Sequence, residues 1–153
     1  MPDISFYVLP TESVTERLLF ACKLLEKAYR SGHFCYVLTA SPAQSQALDD
    51  LLWSFRPGSF VPHQLFTDTL PEVARSILIG MSDAPPQWHN TLLNLSPDCP
   101  SDFLQFSRIL EVLDNSEATK SAGRQHYSLY KKAGFEPTTH KIKASDSEHS
   151  IES

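Results

Sequence analysis

Two residue spacings near the C-terminal end of the chain could support catalysis. Ser128-Leu129-Tyr130-Lys131 fits S-x-x-K, in which a lysine activates a serine nucleophile. Tyr127 and Lys131 fit Y-x-x-x-K, the spacing of short-chain dehydrogenases. Each needs companions elsewhere. The first lacks the further motifs of the serine acyl enzymes, and the second needs an upstream dinucleotide fingerprint. The glycines refuse that fingerprint: Gly32, Gly58, Gly80, Gly123 and Gly134 are too scattered for G-x-G-x-x-G, and no Gly-Lys-Ser/Thr exists. The turn after the first strand candidate is Pro10-Thr11-Glu12, which offers bulk and a negative charge where a phosphate would need close backbone approach. The six histidines show no H-x-x-x-H spacing, and none sits beside a cysteine at ligand distance, so no metal site or cofactor is expected. Asp49-Asp50 are adjacent on a helix, where neighbours do not share a face, and read as solvated surface.

Two other constellations suit binding. Between Gly32 and Thr119 only Arg56, Arg75 and Arg108 are basic, against ten acidic residues. Then come Lys120, Arg124, Lys131 and Lys132, with no Asp or Glu from Ala118 to Phe135. Lys120, Arg124, Tyr127 and Lys131 are spaced 4, 3 and 4, so they share one helix face. Ala118, Ala122, Leu129 and Ala133 are expected to pack on the sheet, and the cations to lack local acid partners. Such a row beside a tyrosine suits an acidic peptide through charge-assisted bonds. Single-stranded nucleic acid is the rival ligand. The second constellation is Leu52-Trp53-Ser54-Phe55-Arg56-Pro57-Gly58-Ser59-Phe60-Val61-Pro62-His63, a Pro- and Gly-containing loop carrying Trp and two Phe. A surface loop of this composition reads as a hydrophobic docking patch; the bland alternative is that it roofs the core.

The elements that must position these residues alternate. Ile4 to Leu9 is β-prone. Ser13-Val14-Thr15-Glu16 is a capping box, and Leu18, Cys22, Leu25 and Tyr29 follow on one helix face, closed by Gly32. Phe34 to Thr39 is a second strand. Ser41-Pro42-Ala43-Gln44 caps a helix running to about Trp53, with Leu48, Leu51 and Leu52 inward. Val61 to Phe66, Ser76 to Met81 and Asn90 to Leu95 are further strands, and Arg108 to Leu113 is a sixth despite its Arg and Glu. Asp114 or Asn115 caps a last helix from about Ser116 to Ala133, Gly134 ends it, and an edge strand follows Phe135. This alternation predicts an α/β three-layer fold, with a largely parallel central sheet and helices on both faces. It is Rossmann-like without a nucleotide-binding loop.

Length and composition agree with one domain. The chain has 153 residues, 41% hydrophobic and 20% charged, with net charge −5. Residues 1–143 are read as the domain and 144–153 as a disordered polar tail. An acidic balance argues against gripping duplex DNA. Cys22, Cys35 and Cys99 suggest reduced thiols. No run is long enough to span a membrane and the start lacks a signal peptide's pattern, so a cytoplasmic location is expected.

Three segments resemble the chi subunit family of bacterial DNA polymerase III. Ile4-Ser5-Phe6-Tyr7-Val8-Leu9 is similar to its first strand; Leu52-Trp53 with Ser59-Phe60-Val61-Pro62-His63 is similar to its most recognisable segment. Arg124-x-x-Tyr127-x-x-Tyr130-x-x-Ala133-Gly134-Phe135 is similar to its C-terminal signature. The resemblance runs from Ile4 to Lys143. It implies an α/β adaptor without catalysis and two partners. One is the psi subunit of the clamp loader, docking on Trp53, Phe60, Val61, Pro62 and His63, a patch that a helicase could share. The other is the acidic C-terminal tail of the single-stranded DNA-binding protein, held by Lys120, Arg124 and Tyr127, with Lys131 as a further charge. Ser128 stands where the resemblance implies a basic residue. The alternatives set against this reading are a nucleotide-binding enzyme with a degenerate loop and a direct single-stranded DNA binder.

Overall fold

The computed structural model describes residues 3–56, 58, 60–66 and 76–143. Among these residues the β-prone runs become seven parallel strands: β1 (Asp3–Val8), β2 (Cys35–Leu38), β3 (His63–Leu65), β4 (Ile77–Gly80), β5 (Thr91–Asn94), β6 (Arg108–Leu113) and β7 (Thr138–Lys141). Their order across the sheet is β3-β4-β2-β5-β6-β1-β7. Every pairing is parallel and both faces are covered, so β2, β4 and β5 are buried along their whole length.

Among the described residues, three α-helices cover those faces: α1 (Val14–Arg30), α2 (Pro42–Ser54) and α3 (Glu117–Lys132). Leu18, Cys22 and Leu25 of α1 and Leu48 and Leu52 of α2 share one core cluster with Val37, Ile79, Leu93 and Val112. Tyr130 of α3 belongs to the other, with Phe6, Tyr36, Leu92, Trp88 and Phe106. The expected three-layer arrangement is therefore present.

Local signals act as read at the first two helices. The Ser13 side chain accepts from Glu16 N, and that of Ser41 accepts from Gln44 N. Gly32 and Gly134, just past the ends of α1 and α3, have φ of 87° and 95°, the left-handed conformation glycine adopts without penalty. At α3 the expected cap shifts. Ser116, not Asp114 or Asn115, accepts from Thr119 N, while the Asp114 carboxylate accepts from Ser116 N at 2.9 Å. Asp114 therefore braces the capping serine.

The strands are shorter than the apolar runs by a residue or more at most ends. Among the described residues, two short 3-10 helices, Pro86–Trp88 and Phe103–Gln105, have no counterpart in the elements expected from sequence. The first buries Trp88, whose indole N–H donates to the Ser76 carbonyl at 2.8 Å. Trp53 lies in α2, so the aromatic segment starts on a helix; Pro57 and Ser59 lie outside the described residues, as does the expected tail 144–153. No helix among the described residues is long and apolar enough to cross a membrane.

Candidate docking surfaces

The basic stripe sits on a helix whose buried side is polar. Gly123, His126 and Tyr130 face the sheet. Gly123 permits close approach: a Cβ there would overlap the Leu113 side chain. Ala118, Leu129 and Ala133 are exposed and Ala122 is half-buried, so the alanine-leucine line expected to pack on the sheet is instead an outer flank. The physical reason is Glu111, buried in the middle of β6. An ionised carboxylate inside the sheet needs donors, and α3 turns its polar positions inward to supply them.

Those donors are well placed. Tyr130 O–H donates to Glu111 Oε2 at 2.7 Å, and Asn94 Nδ2 donates to the same oxygen at 3.3 Å. His126 Nδ1 lies 3.0 and 3.1 Å from the two carboxylate oxygens, and its Nε2 lies 2.9 Å from the Pro97 carbonyl. Both ring nitrogens thus face acceptors, which an imidazolium satisfies and a neutral ring does not. Burial works against that charge, but the hydrogen bond to Glu111, its charge and the Pro97 carbonyl outweigh it, and the His126 pKa is raised. Burial, then the Glu111 charge, pushes the Tyr130 hydroxyl far up. Neither His126 nor Glu111 was singled out from the sequence. A glutamate within an otherwise apolar strand was the available signal.

On the exposed side, Lys120, Arg124, Tyr127 and Lys131 lie along one face as their spacing predicts. The Tyr127 ring rests on Phe6 of β1, with centroids 5.5 Å apart, and stays partly exposed. The cations do have local acid partners, contrary to expectation. Arg124 Nη2 bonds Glu117 Oε1 at 2.8 Å, and Lys131 Nζ bonds Glu136 Oε1 at 2.9 Å. Both acids lie just outside the acid-free stretch. Their side chains are 78% and 86% exposed, so an incoming carboxylate can displace them. The Arg124 contact lowers the Glu117 pKa, and that of Glu136 raises the Lys131 pKa. Lys131 is thus engaged with Glu136, and Ser128 is exposed.

The aromatic segment divides in two. Trp53 and Phe60 are 60% and 68% exposed, with ring centroids 6.1 Å apart. Val61 and the side chain of His63 are buried, and Pro62 is half-buried. His63 Nδ1 donates to the Val61 carbonyl at 2.7 Å, its Nε2 lies 3.3 Å from Asp49 Oδ1, and its ring packs 4.7 Å from that of Trp53. In this chain the buried His63 ring therefore supports the exposed Trp53, while Val61 belongs to the core.

An arginine occupies part of the edge where α/β sheets usually hold ligands. Arg17 of α1 donates from Nε to the Val112 carbonyl at 2.8 Å and from Nη2 to the Leu95 carbonyl at 3.1 Å, at the carboxyl ends of β6 and β5. Pro10, Thr11 and Glu12 form the first β–α turn, and the Thr11 carbonyl accepts from Asn115 N. The described residues contain no group of three His, Cys, Asp or Glu able to hold a metal ion.

Comparison with known proteins agrees with this arrangement. Residues 1–138 match the family "DNA polymerase III chi subunit, HolC". The DNA polymerase III subunit chi of Pseudomonas aeruginosa is 32% identical over 142 residues, covering 93% of this chain and 98% of the relative. The subunits of the same name from Haemophilus influenzae and Escherichia coli K12 are 25% and 22% identical, covering 90% and 91% of this chain and 95% and 97% of those proteins. The chain belongs to the DNA polymerase III chi subunit family, non-catalytic accessory subunits of DNA replication.

Proposed function

We propose that this chain is a replisome adaptor that bridges two proteins. The α3 stripe of Lys120, Arg124, Tyr127 and Lys131 takes the acidic C-terminal tail of the single-stranded DNA-binding protein. Trp53 and Phe60, with the adjoining Val61, Pro62 and His63, take the psi subunit of the clamp loader. The observation that carries the reading is the aligned cation row of α3, whose acid partners Glu117 and Glu136 are themselves largely exposed. A peptide carboxylate gains charge-assisted bonds there by exchange, without stripping a buried partner.

The separation of the surfaces supports bridging. Trp53 lies on α2, over the face that α1 also covers, beside β3 at one sheet edge. Tyr127 lies over Phe6 of β1, five strand intervals away and on the opposite face. At ~4.8 Å per interval that is ~24 Å across the sheet. Two partners can therefore be held together, and the linked contacts gain from effective concentration.

The test is titration of the full chain with an acidic peptide ending in Asp-Ile-Pro-Phe. Arg124→Ala is expected to weaken binding by at least about tenfold, the scale of one charge-assisted bond. Binding should also fall as salt rises. Absence of peptide binding, or affinity indifferent to Arg124, refutes the tail assignment. Tight binding of a poly-dT oligonucleotide in place of the peptide would transfer the stripe to single-stranded DNA. Pull-down with psi should fail for Phe60→Ala and survive Arg124→Ala.

A further inference from the structure

An unassigned groove lies on the other face of the sheet from the α3 stripe. It runs between α1 and the β1–β7 edge and has a volume of about 310 Å³. Arg108, Lys27, Ser31 and His140 supply its polar lining, and Phe20 and Leu24 part of its apolar wall. The His140 ring stacks on Tyr7, with centroids 4.8 Å apart and planes within 17°.

Arg108 has no satisfied role in the fold. It is the first residue of β6, and its backbone N–H donates to the Asn90 carbonyl. Its guanidinium has no hydrogen-bond or ion-pair partner among the described residues, and its Nε is shut away from solvent without an acceptor. Arg17, Arg30, Arg56 and Arg124 differ: each holds a carbonyl or a carboxylate. Asp3, its register partner on β1, makes no ion pair with it. On β5, Thr91 is paired in register with Arg108 and points to the same side of the sheet. Its hydroxyl is buried, with the residue 1% exposed, and it too lacks a partner. A half-buried guanidinium beside an unsatisfied hydroxyl is costly unless something outside the fold completes it. The complement of five N–H donors in a planar fork is a carboxylate or a phosphate.

We propose that this groove is an anion-binding site, with Arg108 as its principal ligand, for a small amphipathic molecule carrying one carboxylate or phosphate on an apolar body. The volume falls at the lower end of the range for small-molecule pockets. The arginine fork takes the anionic head at the β6 end of the groove. Phe20 and Leu24 take the apolar body. The site is separate from the α3 stripe, so its occupancy does not depend on the adaptor reading.

The test is an amide-shift titration of the full chain by NMR with three probes: phenyl phosphate, benzoate and inorganic phosphate. The expected result is saturable shifts at Arg108, Ser31 and His140 in the millimolar range. Both aromatic probes should bind more tightly than inorganic phosphate. The tighter of the two identifies the head group. Arg108→Gln should weaken binding by at least about tenfold, and Arg108→Lys, which keeps the charge but not the fork, should fall between. Arg124→Ala should leave the affinity unchanged, which separates this site from the peptide site. Shifts confined to α3, no saturable shift at Arg108, or equal affinity in wild type and both Arg108 variants overturns the proposal. Unfolding midpoints of the variants identify any folding defect, and the Lys variant carries the test if the Gln variant does not fold.

Discussion

Replacing Glu111 by Gln tests whether a buried ion pair anchors the docking helix. The substitution keeps the shape of the side chain but removes the negative charge between His126, Tyr130 and Asn94. It also places an amide donor where three donors converge, so at least one hydrogen bond is lost. Removing one partner of a buried pair costs about 3–5 kcal/mol, and the amide oxygen recovers part of that, so a loss of about 3 kcal/mol is expected. For a domain of this size each kcal/mol moves the midpoint by about 2–4 °C, so the melting temperature should fall by about 6–12 °C. The sign of the pH dependence gives a sharper criterion. The folded-state pKa of His126 is raised above its ordinary value of 6.5. The stabilisation from its protonation is therefore fully present below pH 6.5 and is lost as pH rises through the higher folded value. Urea unfolding of the wild type across pH 5.5–9 should show that decline, and Glu111→Gln should flatten it. A loss under about 1 kcal/mol, or the same alkaline decline in both proteins, would refute the ion-pair account. A double-mutant cycle with His126→Gln should give a coupling of at least about 1 kcal/mol.

Three further substitutions follow from burial and packing. Phe60→Ala removes an exposed ring and should leave the midpoint within about 0.5 kcal/mol of wild type; His63→Ala, which takes away a buried ring with contacts to Val61 and Asp49, should cost about 1–3 kcal/mol in the same unfolding assay. Gly123→Ala forces a methyl group into Leu113 and should cost about 1–3 kcal/mol by chemical denaturation, although alanine raises intrinsic helix propensity.

The thiols show how the same surroundings control reactivity. Burial pushes Cys22 and Cys35 up to about 12. It pushes Cys99 up to about 11, with the bond to Tyr130 acting in the opposite direction. None is activated as a nucleophile.

The sequence by itself determined the class of fold. Strand–helix alternation and the caps at Ser13 and Ser41 are local signals, read by chain segments whatever the rest of the molecule does. It also determined the stripe, because the 4, 3, 4 spacing fixes a shared helix face before any packing occurs. Tertiary structure decided which side of α3 turns inward. Hydrophobic patterning pointed to Ala118, Ala122, Leu129 and Ala133, but Glu111 sits 1% exposed inside the sheet, where His126 and Tyr130 of α3 join Asn94 of β5 in satisfying it. Chain segments distant in sequence meet there, and the cost of a naked buried charge exceeds the gain from covering a few small side chains. The same reasoning separates Trp53 and Phe60 from Val61 and His63. Composition marked all four as one patch, and only the packing of β3 against α2 showed which of them a partner can touch.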